Sequence, residues 1–192
     1  MRNSTILINL NYFIFIFNMN KWVKFFQKSS LIRNSCLSLK NSYQTLITIN
    51  PQKKYSLFLS LNPRVNLHEL EKLYDLIGWV RRPPHKVNLA LQNSYSIITL
   101  SIKTNQYNKL IGFARVISDH AFNATIWDMA IHPNYQKQGL GSIVIGKLIQ
   151  ELRYLGIDTI TLFADSQSIK FYNKLGFLTD PQNTRGMFWY PK

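Results

Sequence analysis

Gln136-Lys137-Gln138-Gly139-Leu140-Gly141 is the stretch on which the fold turns. It follows an apolar run, Ala124–Ile131, closed by His132-Pro133. It precedes a stripe in which Leu140, Val144, Leu148 and Leu152 recur at four-residue steps. The run reads as a strand and the stripe as a long helix from Gly139 to about Tyr154. A strand, a tight glycine turn and a helix aim several free backbone N–H groups and the helix dipole at one point, and such a point binds phosphate. Gly139 and Gly141 let the main chain approach an anion with no Cβ in the way. The segment lacks the Gly-Lys-Ser/Thr of a P-loop and the third glycine of a dinucleotide fingerprint. Alone, two glycines at such a position are more often only a turn.

A second segment changes that balance. Phe171-Tyr172-Asn173-Lys174-Leu175-Gly176-Phe177 places Tyr172 thirty-one residues beyond Gly141. Gly176 suits the position just past a helix end, which allows Tyr172 to be a buried aromatic of a capped helix. Asp165 precedes Tyr172 by seven positions, about two helical turns, which predicts that both project from one side of the helix start.

Around these segments the chain alternates. Tyr55–Leu61 reads as a strand, and Leu67, Leu70, Leu73, Tyr74 and Ile77 as an amphipathic helix stopped by Gly78. Arg81-Arg82-Pro83-Pro84 interrupts, and a second short helix is predicted from about His85 to Leu91. Ser94–Ile102 and Lys109–Ser118 read as strands joined by the polar turn Thr104–Asn108. After the long helix, Ile157–Ala164 is a predicted strand and Ser166–Leu175 a helix. Phe177–Leu178 and Gly186–Tyr190 are expected to close the sheet. The order β-α-α-β-β-β-α-β-α-β-β describes an α/β domain, a mixed sheet with helices packed on it.

Composition bounds the function. The 192 residues are 46% hydrophobic and carry a net charge of +14, enough apolar content for one core and a surface that attracts anions. Residues 1–54 hold eight basic and no acidic residues, so +8 of the charge lies there; the first acid is Glu69. That segment reads as a basic extension, expected to be poorly ordered, ahead of a domain at 55–192. Met19 is an alternative start. The single cysteine, Cys36, excludes an internal disulfide framework and a cysteine-based zinc site. The longest apolar run, Ile6–Phe17, is too short to span a bilayer. His68, His85, His120 and His132 have no metal-ligand spacing and are expected at turns or the surface, so no metal is expected. No nucleic-acid-reading motif accompanies the charge, which argues against a specific nucleic-acid binder. Enrichment in Asn, Ile, Lys, Phe and Tyr is typical of an AT-rich genome such as an organelle's.

Q-x-x-G-x-G and F-Y-x-x-L-G-F at this separation resemble the two diagnostic segments of the GCN5-related N-acetyltransferase (GNAT) superfamily, over about residues 55–192. The stretches Gly78–Pro83, Ser118–Asp128, Leu162–Gln167 and Gly186–Pro191 resemble more narrowly the plastid acetyltransferases of plants, algae and cyanobacteria. That group includes serotonin N-acetyltransferases and protein lysine or N-terminal acetylases, and red-algal plastid genomes encode a member. The resemblance implies the GNAT fold, a mostly antiparallel mixed sheet splayed at its central strands with helices on both faces, and a plastid location.

It also implies a site. The pantetheine arm of acetyl-CoA would pair with the strand at Met129, Ala130 and Ile131. Its pyrophosphate would rest on the amides of Lys137, Gln138, Gly139, Leu140, Gly141 and Ser142. Tyr172 would supply a proton or hydrogen bond to the departing thiolate. Attack on a thioester needs a neutral amine, and for a free lysine of pKa about 10.4 this costs roughly 3 kcal/mol near pH 8. A carboxylate beside the acceptor offsets that cost, and Asp128, on the strand beside the thioester, is the candidate; a satisfied polar strand residue is the competing reading. Asp165 stands where protein-acetylating relatives commonly carry Asn, and capping the helix ranks before cofactor binding or a role on the amine. Direct transfer is expected, because Cys36 lies outside the domain and no site cysteine exists for a covalent relay. The acceptor is expected to be a protein amine ahead of an arylalkylamine, with acceptor choice resting on the loops around Arg81–Lys86, His120 and Asn183–Met187. A non-catalytic acetyl-CoA sensor is the remaining alternative.

Overall fold

Leu57, Leu59 and Leu61 on one strand and Ile98, Leu100 and Ile102 on the next alternate with Phe58, Ser60, Thr99 and Ser101, and each of the six is at most 5% exposed. That period of two gives the sheet one continuous apolar face. The computed structural model describes residues 43–47, 56–103 and 108–191. Its strands are β1 (Tyr43–Ile47), β2 (Ser56–Leu61), β3 (Ser96–Lys103), β4 (Asn108–Ser118), β5 (Asn123–Ile131) and β6 (Thr159–Leu162). They lie in sequential order in one six-stranded sheet. Every neighbouring pair is antiparallel except β5 and β6, which run parallel.

Among the described residues, four helices cover the two faces. Helix α1 (Leu67–Leu76) starts where the Asn66 side chain accepts the N–H groups of His68 and Glu69, a cap that satisfies two orphan donors. Helix α2 (Pro84–Gln92) opens on a proline at its first position, where the missing N–H costs nothing. Leu70, Leu73 and Tyr74 of α1 and Val87 of α2 pack with Phe113 and Ala130 on one face. The opposite face carries α3 (Leu140–Tyr154), whose Leu140, Val144, Ile145, Leu148 and Leu152 are all but inaccessible. Burial on this scale is worth about 1.5–3 kcal/mol per side chain, so α3 anchors the larger core. Helix α4 (Ile169–Lys174) adds Phe171 and Tyr172 to the same core.

Three boundaries differ from the sequence reading. The sheet begins at β1, inside the segment read as an extension, and β1 pairs with β2 from Tyr43↔Leu61 to Ile47↔Leu57; residues 1–42 lie outside the described residues. The helix predicted over Ser166–Leu175 begins only at Ile169. Phe177–Leu178 and Gly186–Tyr190 form no strand. Asp180, Gln182 and Asn183, all at positive φ around Pro181, turn the chain off the sheet, and Phe188 packs instead edge-to-face against Phe163 at 5.0 Å.

Of the four histidines, His68, His85 and His120 are exposed, whereas His132 is buried at the end of β5. Its Nδ1 accepts the Asn134 N–H, and its Nε2 lies 2.9 Å from Lys109 Nζ. Burial, and then the neighbouring Lys109 ammonium, hold the imidazole below its ordinary pKa. A base depressed by folding contributes stability that is full above the unfolded value, about 6.5, and is lost as pH falls below it toward the folded value. Thermal melts between pH 7 and 5 should therefore decline more steeply for the wild type than for His132→Gln.

Candidate active site

A bulge in β5 organises the site. Between the pairs Arg115↔Trp127 and Phe113↔Ala130, β5 spends one residue more than β4. The extra residue sits at Asp128, whose φ of 54° is left-handed, an uncommon conformation for a residue with a Cβ. A bulge re-aims side chains. Here it breaks the regular alternation that would place Trp127 and Met129 on one face. Ile126 and Met129, three apart, both pack with the core beneath α3, while Trp127 stacks on Phe163 at 5.2 Å.

Asp128 turns the other way, toward α1 and α2. Its carboxylate is only 6% exposed and accepts hydrogen bonds from two guanidinium groups: Arg115 Nε on Oδ2, and Arg82 on Oδ1 at 3.0 Å. Both arginines escaped the sequence reading as site residues. Arg115 carried a signal, a charge at an inward strand position, and Arg82 lay in a loop assigned to acceptor choice. Beside the carboxylate is a cavity of about 140 Å³ lined by Tyr74, Pro83, Val87, Ala90 and Leu91 among others. Burial, reinforced by the Asp128 charge and opposed by the two arginines, pushes the Tyr74 phenol up, so it stays protonated. His120 does not line this cavity. It lies in the β4–β5 hairpin, edge-on to Tyr95 at 4.6 Å.

The strand pairing then opens. β5 and β6 are in register from Asn123↔Thr159 to Ile126↔Leu162, and β5 continues to Ile131 beyond the last pair. The edge of Trp127–Ile131 that faces away from β4 is thus not joined to β6, which is the slot expected for an extended arm at Met129, Ala130 and Ile131. Ala130 is buried, and the Ile131 carbonyl accepts the Gln136 side-chain amide at 2.9 Å.

The slot leads to the glycine loop. Lys137 and Gly139 are both left-handed, at φ 58° and 80°, and α3 has no side-chain cap. Alternating left-handed residues gather N–H groups into an anion-binding concavity, and an uncapped first turn adds its own free amides. The donor set from Lys137 to Ser142 therefore fits a pyrophosphate, and Lys137 is exposed beside it. Gly139 is required by its φ. Gly141 is closely packed: a Cβ there would lie 3.2 Å from the Phe171 ring, which would have to give by a few tenths of an ångström, and 3.5 Å from Met129, an ordinary contact. Its bareness serves helix packing as much as approach to an anion.

Tyr172 borders this same side. It is half-buried, with its ring 4.8 Å from Phe171 and 5.9 Å from Phe177. Burial first, and the Asp165 charge second, push its phenol up. Asp165 lies in the turn before α4 rather than on the helix. Its Oδ1 accepts the Ser168 N–H at 2.8 Å, which closes that turn, whereas the first turn of α4 has no side-chain cap. Among the described residues no group of three or more His, Cys, Asp or Glu is arranged to hold a metal ion.

Comparison with known proteins agrees with this fold. The chain is 48% identical over 171 residues to an uncharacterized N-acetyltransferase, ycf52, of Pyropia yezoensis, covering 89% of this chain and 98% of that one. It is 52% identical over 134 residues to the histone acetyltransferase TAP1 of Glycine max, covering 66% and 58%. It is 44% identical over 152 residues to the chloroplastic GCN5-related N-acetyltransferase 2 of Arabidopsis thaliana, covering 71% and 59%. A GNAT-family acetyltransferase structure from Streptococcus pneumoniae superimposes with a TM-score of 0.60 at 21% identity, covering 71% and 98%. Residues 63–177, which contain the bulge, the open slot, the glycine loop and Tyr172, match the model of the acetyltransferase (GNAT) family, and the chain belongs to that family of acetyl-CoA-dependent N-acetyltransferases.

Proposed function

We propose that this protein works in plastids and transfers acetyl from acetyl-CoA directly to primary amines of proteins, lysine ε-amino or N-terminal α-amino groups. One observation carries the reading: the bulge at Asp128 joins a buried carboxylate on one face of β5 to the uncapped α3 terminus on the other, through a strand edge that β6 leaves open. Two relatives support the acceptor class and the location, one named a histone acetyltransferase and one chloroplastic.

In this reading the amides of Lys137, Gln138, Gly139, Leu140, Gly141 and Ser142 hold the pyrophosphate, and Met129, Ala130 and Ile131 pair with the pantetheine. The co-substrate supplies an activated thioester. Asp128 takes one proton from the acceptor ammonium, freeing the lone pair. The C–N bond forms as the C–S bond breaks, and Tyr172, kept protonated by its surroundings, gives its phenolic proton to the sulfur. The phenol is restored from the amide nitrogen, so one proton per turnover leaves to solvent from Asp128. Asp165 sets the turn that presents Tyr172.

An arylalkylamine acceptor is favoured by one separate feature, the aromatic row Trp127, Phe163 and Phe188, whose faces would stack on an indole. Thiol release measured side by side with a lysine peptide and with serotonin separates the two: faster turnover of the peptide supports the protein reading, and faster turnover of serotonin overturns it. Calorimetry tests the cofactor site itself. CoA should bind, and Lys137→Ala should weaken it by no more than about fivefold, because an exposed charge pair is worth at most about 1 kcal/mol and main-chain donors do the holding. Absence of binding heat from folded protein would sink the proposal.

A further inference from the structure

Both oxygens of Asp128 are engaged. Arg115 holds Oδ2 and Arg82 holds Oδ1, so the lone pairs that remain for an incoming amine are flanked by two guanidinium groups. The two cations are not equivalent. Arg115 rises from β4 and its side chain is 12% exposed, whereas Arg82, on the loop between α1 and α2, is 48% exposed. The Arg82 guanidinium also lies 5.8 Å from the ring centroids of both Tyr74 and Trp79, a resting place that does not require Asp128. Arg115 is the fixed partner and Arg82 the removable one.

Between them lies the cavity of about 140 Å³. At about 30 Å³ for a water-sized group, it has room for roughly four or five such groups. Its walls at Pro83, Val87, Ala90 and Leu91 are apolar, Tyr74, Lys86 and Arg115 complete the lining, and Asp128 is its carboxylate with Arg82 at the exposed side. An unbranched aliphatic chain suits the apolar walls and its terminal ammonium the carboxylate, provided that it takes the place of a cation already there. An ammonium that replaces Arg82 on Oδ1 exchanges one cation for another, so the buried carboxylate is never left short of positive charge. A neutral group of the same shape would leave it underpaired, which is costly in a buried site.

Resting on the acetyltransferase reading above, we propose that Arg82 is a gate on Asp128: an alkylammonium acceptor enters by displacing Arg82 from Oδ1, which selects cationic, lysine-like amines before any chemistry. Arg82 is a positioning residue, not a catalytic one, since it leaves as the acceptor arrives.

The test is binding without acetyl-CoA, so that it does not depend on turnover. The full chain is titrated calorimetrically with n-butylammonium, and with n-butanol as the uncharged counterpart, for wild type, Arg82→Gln, Arg82→Lys and Arg82→Gln/Asp128→Asn. Removing the competing cation should tighten n-butylammonium binding up to about fivefold in Arg82→Gln, the span of an exposed ion pair. Butanol binding should not change. Arg82→Lys, which keeps a cation, should stay near wild type, and the double variant should lose the gain. Unchanged or weaker butylammonium binding in Arg82→Gln, or an equal gain for butanol, overturns the gate. Failure of the acetyltransferase reading has a different signature: no thiol release from wild type in the presence of acetyl-CoA and peptide.

Discussion

Tyr172→Phe is expected to lower kcat about 100-fold while acetyl-CoA binding stays within about twofold of wild type, the loss typical of removing one positioned proton donor. The substitution deletes only the hydroxyl. The ring contacts with Phe171 and Phe177 survive, so α4 keeps its seat and the glycine loop is untouched. Burial and the Asp165 charge keep the phenol protonated, which is the state a departing thiolate needs. Thiol release with a peptide acceptor reads kcat, and calorimetry with CoA reads the cofactor site separately. An unchanged kcat would remove Tyr172 from the chemistry. Equal, near-zero rates in both proteins, with CoA still bound, would favour a sensor over an enzyme.

How far these roles could be read in advance depends on how local each one is. The glycine loop was legible because every part of it lies within one contiguous segment between a strand and a helix, and the structure begins α3 at Leu140 with Gly139 left-handed. The place of Tyr172 on a short helix that ends before Gly176 was legible through its surrounding apolar motif. The surroundings of Asp128 were not. Its two partners lie 46 and 13 positions away, and nothing in the local sequence marks Asp128 as an extra residue in its strand. A period-two reading assumes that no bulge intervenes, so it would put Met129 on the face opposite Ile126, whereas both pack with the same core. The C-terminal strands failed for a related reason: Phe188, Trp189 and Tyr190 have strand character, but the left-handed residues around Pro181 had already turned the chain. The sequence also placed Asp165 two helical turns from Tyr172, whereas a non-helical turn from Asp165 to Ser168 fills the first part of that interval.

Asp128→Asn should cost both stability and rate, and the two losses can be separated. The carboxylate is 6% exposed and paired with an Arg115 that is itself 12% exposed. Removing one partner of a buried pair leaves the other charge uncompensated, at about 3 kcal/mol, or a fall in Tm on the order of 10 °C for a domain of this size. The amine would also lose its proton acceptor, so kcat/KM for the peptide should fall about 100-fold. Acetyl-CoA affinity should hold, because the anion site belongs to the α3 terminus on the opposite face of β5. A purely structural Asp128 would produce the same pair of losses through misfolding, so the deciding protein is Asp128→Asn/Arg115→Met. Replacing the orphaned guanidinium by an apolar side chain of similar length should return most of the lost Tm, since buried ion pairs are often no better than well-packed hydrophobic substitutes. It cannot return a base. Stability recovered with the rate still about 100-fold down assigns the proton transfer to Asp128. Recovery of both would reduce the carboxylate to a structural counter-ion for two arginines, and the amine would then have to reach its neutral form by way of water.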